Sequence, residues 1–180
     1  EQIQQILLSI STRTQRYVSV KTYVSFLTGL GSFALMWFFG LDYAVLWATL
    51  IFLLNYIPYV GSIVAVFLPV TLSLLQFGNF TTSIILLILL LTIQTAVGYV
   101  IEPMIMGNSL DISAFVVLAS LSVFGTIWGV AGMILAIPIV IILIIVFSHF
   151  EFTQPIAVLL SGNGQPYKTA LEDPNSADEE

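Results

Sequence analysis

Cysteine is absent from the 180 residues and histidine occurs once. Disulfides, thiolate metal sites and cysteine nucleophiles are thereby excluded. Charge is almost as scarce. Lys, Arg, Asp and Glu make up 8 % of the chain, where soluble domains carry about 25 %. So few charges cannot cover a soluble globule. Four Lys plus Arg in all also leave no basic patch for nucleic acid. The chain has no Gly-x-Ser-x-Gly, no His-Glu-x-x-His, no phosphate loop and no Gly-x-Gly-Asp. Serine hydrolase, zinc protease, ATP-driven and intramembrane aspartyl protease chemistry therefore lack their residues. No enzyme activity, cofactor or metal site is expected. What is abundant is apolar surface, at 58 %. Together these figures predict an all-α, polytopic transmembrane helical bundle whose partner is the lipid bilayer.

The formal net charge of −6 describes a tail. Glu172, Asp173, Asp178, Glu179 and Glu180 carry −5 of it. Up to residue 168, Arg13, Arg16, Lys21 and Lys168 nearly balance Glu1, Asp42, Glu102, Asp111 and Glu151. The first residues lack an initiator Met and a signal-peptide pattern and sit inside a polar, helix-forming stretch. The chain is therefore expected to be a C-terminal part of a longer protein.

Uncharged runs set the layout: 22–41, 43–101 and 112–150. Turn signals at 58–62 and 77–82, and glycines from Gly125 to Gly129, divide the longer runs. The predicted membrane segments are 22–40, 43–57, 62–76, 81–101, 112–124 and 130–148, within a transmembrane domain over 22–150. Segments 43–57 and 62–76 would be roughly 23 Å long as helices, short of a roughly 30 Å core. They, and the pair 112–124 and 130–148, read as hairpins that either cross fully or re-enter. Each hairpin adds zero or two crossings, so both ends of the chain share one side. All basic residues lie in those ends, which the positive-inside rule assigns to the cytoplasm. Trp37, Phe38, Phe39, Tyr43 and Trp47 gather at the opposite end of the first span, as an interfacial belt or as lipid-facing packing. Residues 1–21 read as an amphipathic helix, at the cytoplasmic surface or against another part of the protein. Residues 151–180 form a cytoplasmic tail, acidic and expected to be disordered from about 161.

Three charges fall inside the membrane region, all acidic. Asp42 and Asp111 each precede an apolar stretch and suit helix N-caps. Glu102 is different. On a helical wheel it shares an arc with Thr92, Gln94, Thr95, Gly98 and Tyr99. A polar helix face at that depth should line a cavity or a partner helix. Pro103 disfavours helix at residue 102, so the helix is expected to end there. A carboxylate against the negative end of a helix dipole calls for a proton or a compensating cation, or it reaches water as a plain interfacial carboxylate. Pro58, Pro69 and Pro138 each lack an N–H and can free a carbonyl four residues earlier, at Leu54, Ala65 and Ile134. Broken helices of this kind line transporter cavities, while a simple kink is the plainer reading. Asn55 to Gly61 is the densest such element. Gly125, Gly129 and Gly132 suit close helix packing. The spacings Gly61 to Pro69 and Gly129 to Pro138 hint at an internal repeat.

The stretch Asn55-Tyr-Ile-Pro-Tyr-Val-Gly61, followed by Pro69, resembles the Ile-Pro-x-x-Gly signature of the autoinducer-2 exporter (AI-2E) family. Gln94 with Glu102-Pro103-Met-Ile-Met-Gly107 is similar to its glutamine and Pro-x-Ile-x-Gly turn. Gly129-Val-Ala-Gly132 with Pro138 is similar to its closing glycines and proline. Pro155 to Ser161 resembles its post-membrane stretch. The resemblance covers residues about 13 to 162. It implies a C-terminal half, since members are nearly twice this length. It also implies a secondary transporter that exports a small polar solute on an ion gradient, the quorum-sensing signal autoinducer-2 in some members. In others it implies a sodium/proton antiporter. A homo-oligomer, with a pentamer as the expected form, is implied as well. Asn55, Pro58, Gly61, Gln94, Glu102, Pro103, Gly107 and Asp111 are the expected cavity residues. Pro69, Gly129, Gly132 and Pro138 are the expected helix breaks and packing sites. A scaffold or accessory subunit without transport is the alternative of another class.

Overall fold

In a computed structural model, residues 2–106, 112–150 and 152–162 are described. The chain is an all-α polytopic bundle with α1 (Gln2–Phe38), α2 (Ala44–Leu54), α3 (Val60–Phe77) and α4 (Phe80–Ala96). A π turn (Val97–Ile101) leads into α5 (Glu102–Met106), then come α6 (Ala114–Ser148) and α7 (Gln154–Leu160). Among the described residues four helical runs are long and apolar enough to cross a membrane: Ile6–Phe38, Val60–Phe77, Phe80–Met106 and Ala114–Ser148. The chain divides into two compact units, one of residues 16–107 and one of 1–15 with 108–180.

α1 differs from the expected pair of a surface helix and a span. It is one helix, because nothing from Gln2 to Phe38 breaks it: there is no proline, and Gly29 and Gly31 are tolerated in helical geometry. Within residues 16–107, α1 to α4 share one core. Met36, Ile51, Val66, Leu86 and Leu90 are buried at its centre. Gly29 admits α2 closely, since a Cβ there would lie 3.2 Å from the Ala48 carbonyl oxygen. Asn79 caps α4 by accepting from the Thr81 N–H at 2.9 Å, and Ser73 donates to Ser83 at 2.9 Å to tie α3 to α4. At the same end the Gln76 side chain clamps the α1–α2 turn, accepting from the Asp42 N–H and donating to the Gly40 carbonyl. Asp42 is therefore not the N-cap of α2. That position is Tyr43, held in left-handed geometry at φ 58°. Trp37, Phe38, Tyr43 and Phe80 are exposed there.

α2 and α3 form a tight hairpin. Its turn is made by Asn55 to Tyr59, and Gly61 permits the reversal. A Cβ on Gly61 would sit 1.7 Å from the Leu54 carbonyl oxygen. α6 contains a second reversal. Gly129 is non-helical at φ 63°, ψ −141°, and a Cβ on Gly132 would sit 1.9 Å from the Phe124 carbonyl oxygen. In a straight helix residues 124 and 132 would be roughly 12 Å apart along the axis, so the arms fold back on each other. The base of this hairpin is closed by α7. Ile112 and Ser161 form an isolated antiparallel bridge, and the Ser113 N–H donates to the Leu160 carbonyl at 3.1 Å. Both hairpins thus use one device: a glycine that accepts the carbonyl seven or eight residues back, then a buried proline, Pro69 or Pro138, in the returning arm.

Candidate functional site

α1 carries a polar stripe that the uncharged-run layout conceals. Tyr17, Lys21, Ser25, Thr28 and Ser32 recur at helical spacing and all are buried. Thr28 satisfies its hydroxyl on the Val24 carbonyl of its own helix. Lys21 and Ser25 meet two other elements of the same unit.

The first is the end of the α4 run. Lys21 Nζ donates to both carboxylate oxygens of Glu102, at 2.7 and 3.0 Å. The Lys21 side chain is 7 % exposed and that of Glu102 19 %. Tyr17, one turn earlier on α1, lies within electrostatic reach of Glu102 and of Tyr56. Val20, Val24 and Val97 pack beside the pair, with Leu27, Ile93, Ile101 and Met106 around them. The second element is the α2–α3 turn. Asn55 Nδ2 donates to Ser25 Oγ at 3.1 Å, and the Tyr56 hydroxyl donates to Thr22 Oγ1 at 2.7 Å. Lys21 and Ser25 are one turn apart on α1, so Glu102 and Asn55 meet neighbouring positions of one face.

Glu102 does not end a helix, contrary to expectation. The π turn absorbs the proline. Its register pairs the Glu102 N–H with the Val97 carbonyl five residues back. Pro103 comes next, inside α5, and the helical run continues to Met106. The extra residue in the π turn also rotates the downstream side chains relative to a uniform wheel. The predicted polar arc is divided accordingly. Thr92, Thr95 and Tyr99 are exposed, while Gln94, Gly98 and Glu102 are partly buried. Gln94 Nε2 is buried without a hydrogen-bond partner among the described residues.

The α2–α3 turn is strained. Tyr59 adopts φ 60°, ψ −60°, and the Val60 N–H donates to the Pro58 carbonyl at 2.6 Å. That is a γ-turn with positive φ, a rare conformation for a side-chain-bearing residue. Pro58 lies in this turn and not within a helix, so it frees no carbonyl. The Leu54 carbonyl accepts the Ile57 N–H at 2.9 Å. Pro69 and Pro138 do lie inside helices. Along α2 the rise from Ala44 to Asn55 is roughly 16 Å. The turn is therefore well below the aromatic end, where irregular backbone must be buried in protein or line a water-filled cavity. Gly107 and Asp111 lie outside the described residues.

Lys21 is the residue that sequence reasoning missed. Its place beside an uncharged run marks it only as a sign of the cytoplasmic side. The signal was available in the period of Tyr17, Lys21, Ser25, Thr28 and Ser32, which places the cation on a single polar face.

The profile of the AI-2E family transporter matches residues 1–152. The chain belongs to the AI-2E transporter family. It is 37 % identical over 159 residues to the AI-2 transport protein TqsA of Escherichia coli (strain K12), covering 88 % of this chain and 45 % of that protein. It is 39 % identical over 152 residues to a Haemophilus influenzae protein described provisionally as a transport protein, covering 84 % of this chain and 43 % of the relative. A Borreliella burgdorferi protein of the same description is 35 % identical over 156 residues, covering 86 % and 43 %. The chain thus spans less than half the length of these AI-2E relatives. The motif residues Asn55 to Gly61, Glu102 and Pro103, and Gly129 to Pro138 all fall inside the matched region.

Proposed function

We propose that this chain builds the solute pathway of a secondary transporter in the bacterial inner membrane, which exports a small polar solute on an ion gradient. Glu102 is the coupling carboxylate, and the Asn55–Gly61 turn lines the pathway with Gln94. Both ends of the chain face the cytoplasm, and the protein works as a homo-oligomer. The observation that carries this reading is the convergence of an ion pair between two candidate membrane helices and a strained, amide-bearing turn on one face of α1. Intramembrane ionisable residues are rare and mark substrate or ion paths. Backbone strain concentrates at functional sites. The name of the TqsA relative makes AI-2 the first solute to try.

The test is solute flux in vesicles containing the full-length protein. Glu102→Gln is expected to abolish the pH dependence of flux. Unchanged flux with unchanged pH dependence removes Glu102 from any coupling role. A sodium/proton antiporter, in contrast, releases protons from proteoliposomes on sodium addition without any organic solute. Protein that supports neither flux nor proton release acts as a scaffold.

A further inference from the structure

α7 packs on α6 and buries Ala157, yet leaves an apolar face uncovered. Phe152, just ahead of the helix, and Ile156 and Leu159 on it recur at steps of four and three, the spacing of one helix face. Phe152 is 93 % exposed and Leu159 77 %, and Phe150 adds a second exposed ring. Water is a poor neighbour for such a face. The backbone at this elbow asks little of water. A helix end leaves its last four carbonyls without intrahelical partners. Here the Ile145 carbonyl accepts from His149 Nδ1–H at 2.7 Å, and the Val146 carbonyl from the His149 N–H at 3.2 Å. The Phe147 carbonyl accepts from the Thr153 hydroxyl at 2.9 Å. The Phe150 carbonyl takes the Thr153 and Gln154 N–H groups, each at 3.0 Å. The other end of α7 reaches the start of α6, where Ser113 and Ile112 meet Leu160 and Ser161. The apolar outer surface of α6 extends to this level, since Phe115 and Leu118 are exposed in its first two turns.

We infer that residues 150–160 lie in the bilayer interface, with Phe152, Ile156 and Leu159 seated among the lipid acyl chains. Three observations select lipid as the occupant of this face. The face continues the outer surface of a candidate membrane helix. The carbonyls beside it are satisfied within the chain, which lipid demands and water does not. α7 is also tied to both ends of the α6 hairpin, so it lies along the base, as an interfacial helix does. Its seven residues make it roughly 10 Å long, too short to cross a roughly 30 Å core. Gln154, exposed on another side of the helix, is left for the headgroups. α7 is then a strap that fixes the depth of the hairpin base, whether the arms cross or re-enter. The tail boundary expected at residue 151 moves to the end of α7. This inference needs α6 in the membrane but not transport, so it and the transport reading fail separately.

The experiment places a nitroxide spin label at single cysteines of the full-length protein, otherwise freed of cysteine, in phosphatidylcholine bilayers. Phe152→Cys, Ile156→Cys, Leu159→Cys and Gln154→Cys are compared for collision with oxygen, which concentrates in acyl chains, and with a water-soluble nickel chelate. Labels at positions 152, 156 and 159 are expected to show a several-fold higher ratio of oxygen to nickel collisions than the label at 154. A ratio no higher than at 154 overturns the inference. Loss of both collisions at the three positions overturns it too, because another segment or a second copy then covers the face. Where a labelled variant does not fold, Phe152→Trp decides. Added tryptophan emission that acyl-brominated phosphatidylcholine quenches supports the inference, and emission that it leaves unquenched overturns it.

Discussion

At the scale of single residues, two kinds of position are unforgiving for different reasons. The Lys21–Glu102 pair is held by charge in a setting with little water. Deleting one partner strands the other, at a cost of about 3–5 kcal/mol. Deleting both in a neutral, isosteric way costs far less. Gly61 and Gly132 are held by space. A methyl at either would lie under 2 Å from a main-chain carbonyl oxygen, and backbone yields less readily than a side-chain tip. Gly61→Ala and Gly132→Ala are expected to cost about 3 kcal/mol or more, read as a fall in unfolding temperature. Gly98→Ala, with open space around it, is the matched control and should melt near the native temperature. All three melting near the native temperature would mean that the hairpins relax to admit the methyl and that the carbonyl contacts set no cost. The importance of Gly61 and Gly132 was legible in the sequence, since small residues in hairpin turns announce close approach. That of Lys21 was not. A cation next to an uncharged run reads as the edge of a span until a partner 81 residues away is known.

At the scale of elements, hairpins and turns were easier to read than helix ends. Glycines and prolines punctuate the backbone locally, so the reversals near 55–61 and 125–132 could be read directly. The π turn could not, because it depends on how Pro103 is accommodated by the helix before it. Proline predicted a stop; a change of hydrogen-bond register allowed the helix to continue. The same register change separated Glu102 from the face drawn through Thr92, Thr95 and Tyr99. The α2–α3 turn carries its own prediction. Tyr59 sits at a backbone geometry costing on the order of 1–3 kcal/mol, which glycine adopts more freely. Tyr59→Gly is expected to raise the unfolding temperature while lowering solute flux. A variant that melts lower than native shows that the Tyr59 side chain contributes more than the strain costs.

At the scale of the whole molecule, composition established the class and charge placement proposed the orientation. The apolar content called for helices, and four runs are candidate spans by length and composition, although Ala114–Ser148 folds back at Gly129. Composition could not reveal that the stretch ahead of the first span continues as the same helix. Amphipathic periodicity looks alike whether its apolar side meets lipid headgroups or other helices. The covered side of α1 is where that ambiguity mattered. Tyr17, Val20 and Lys21 are buried, so the boundary expected after residue 21 falls inside a packed helix.

The buried polar stripe also has a consequence for how the protein is made. α1 is the least apolar of the four candidate spans, and its lysine does not meet its carboxylate partner until Glu102 is synthesised 81 residues later. At about 5–20 residues per second, that is a wait of about 4–16 s. During the wait the ribosome has delivered a helix whose ammonium must reach the headgroups or water. Insertion of α1 is therefore completed by a later part of the chain. Nascent chains arrested before residue 102 should leave α1 shallow and extractable by alkali, while chains arrested after Met106 has cleared the translocon should anchor it. Equal anchoring at both lengths would mean that α1 enters the bilayer without help from Glu102.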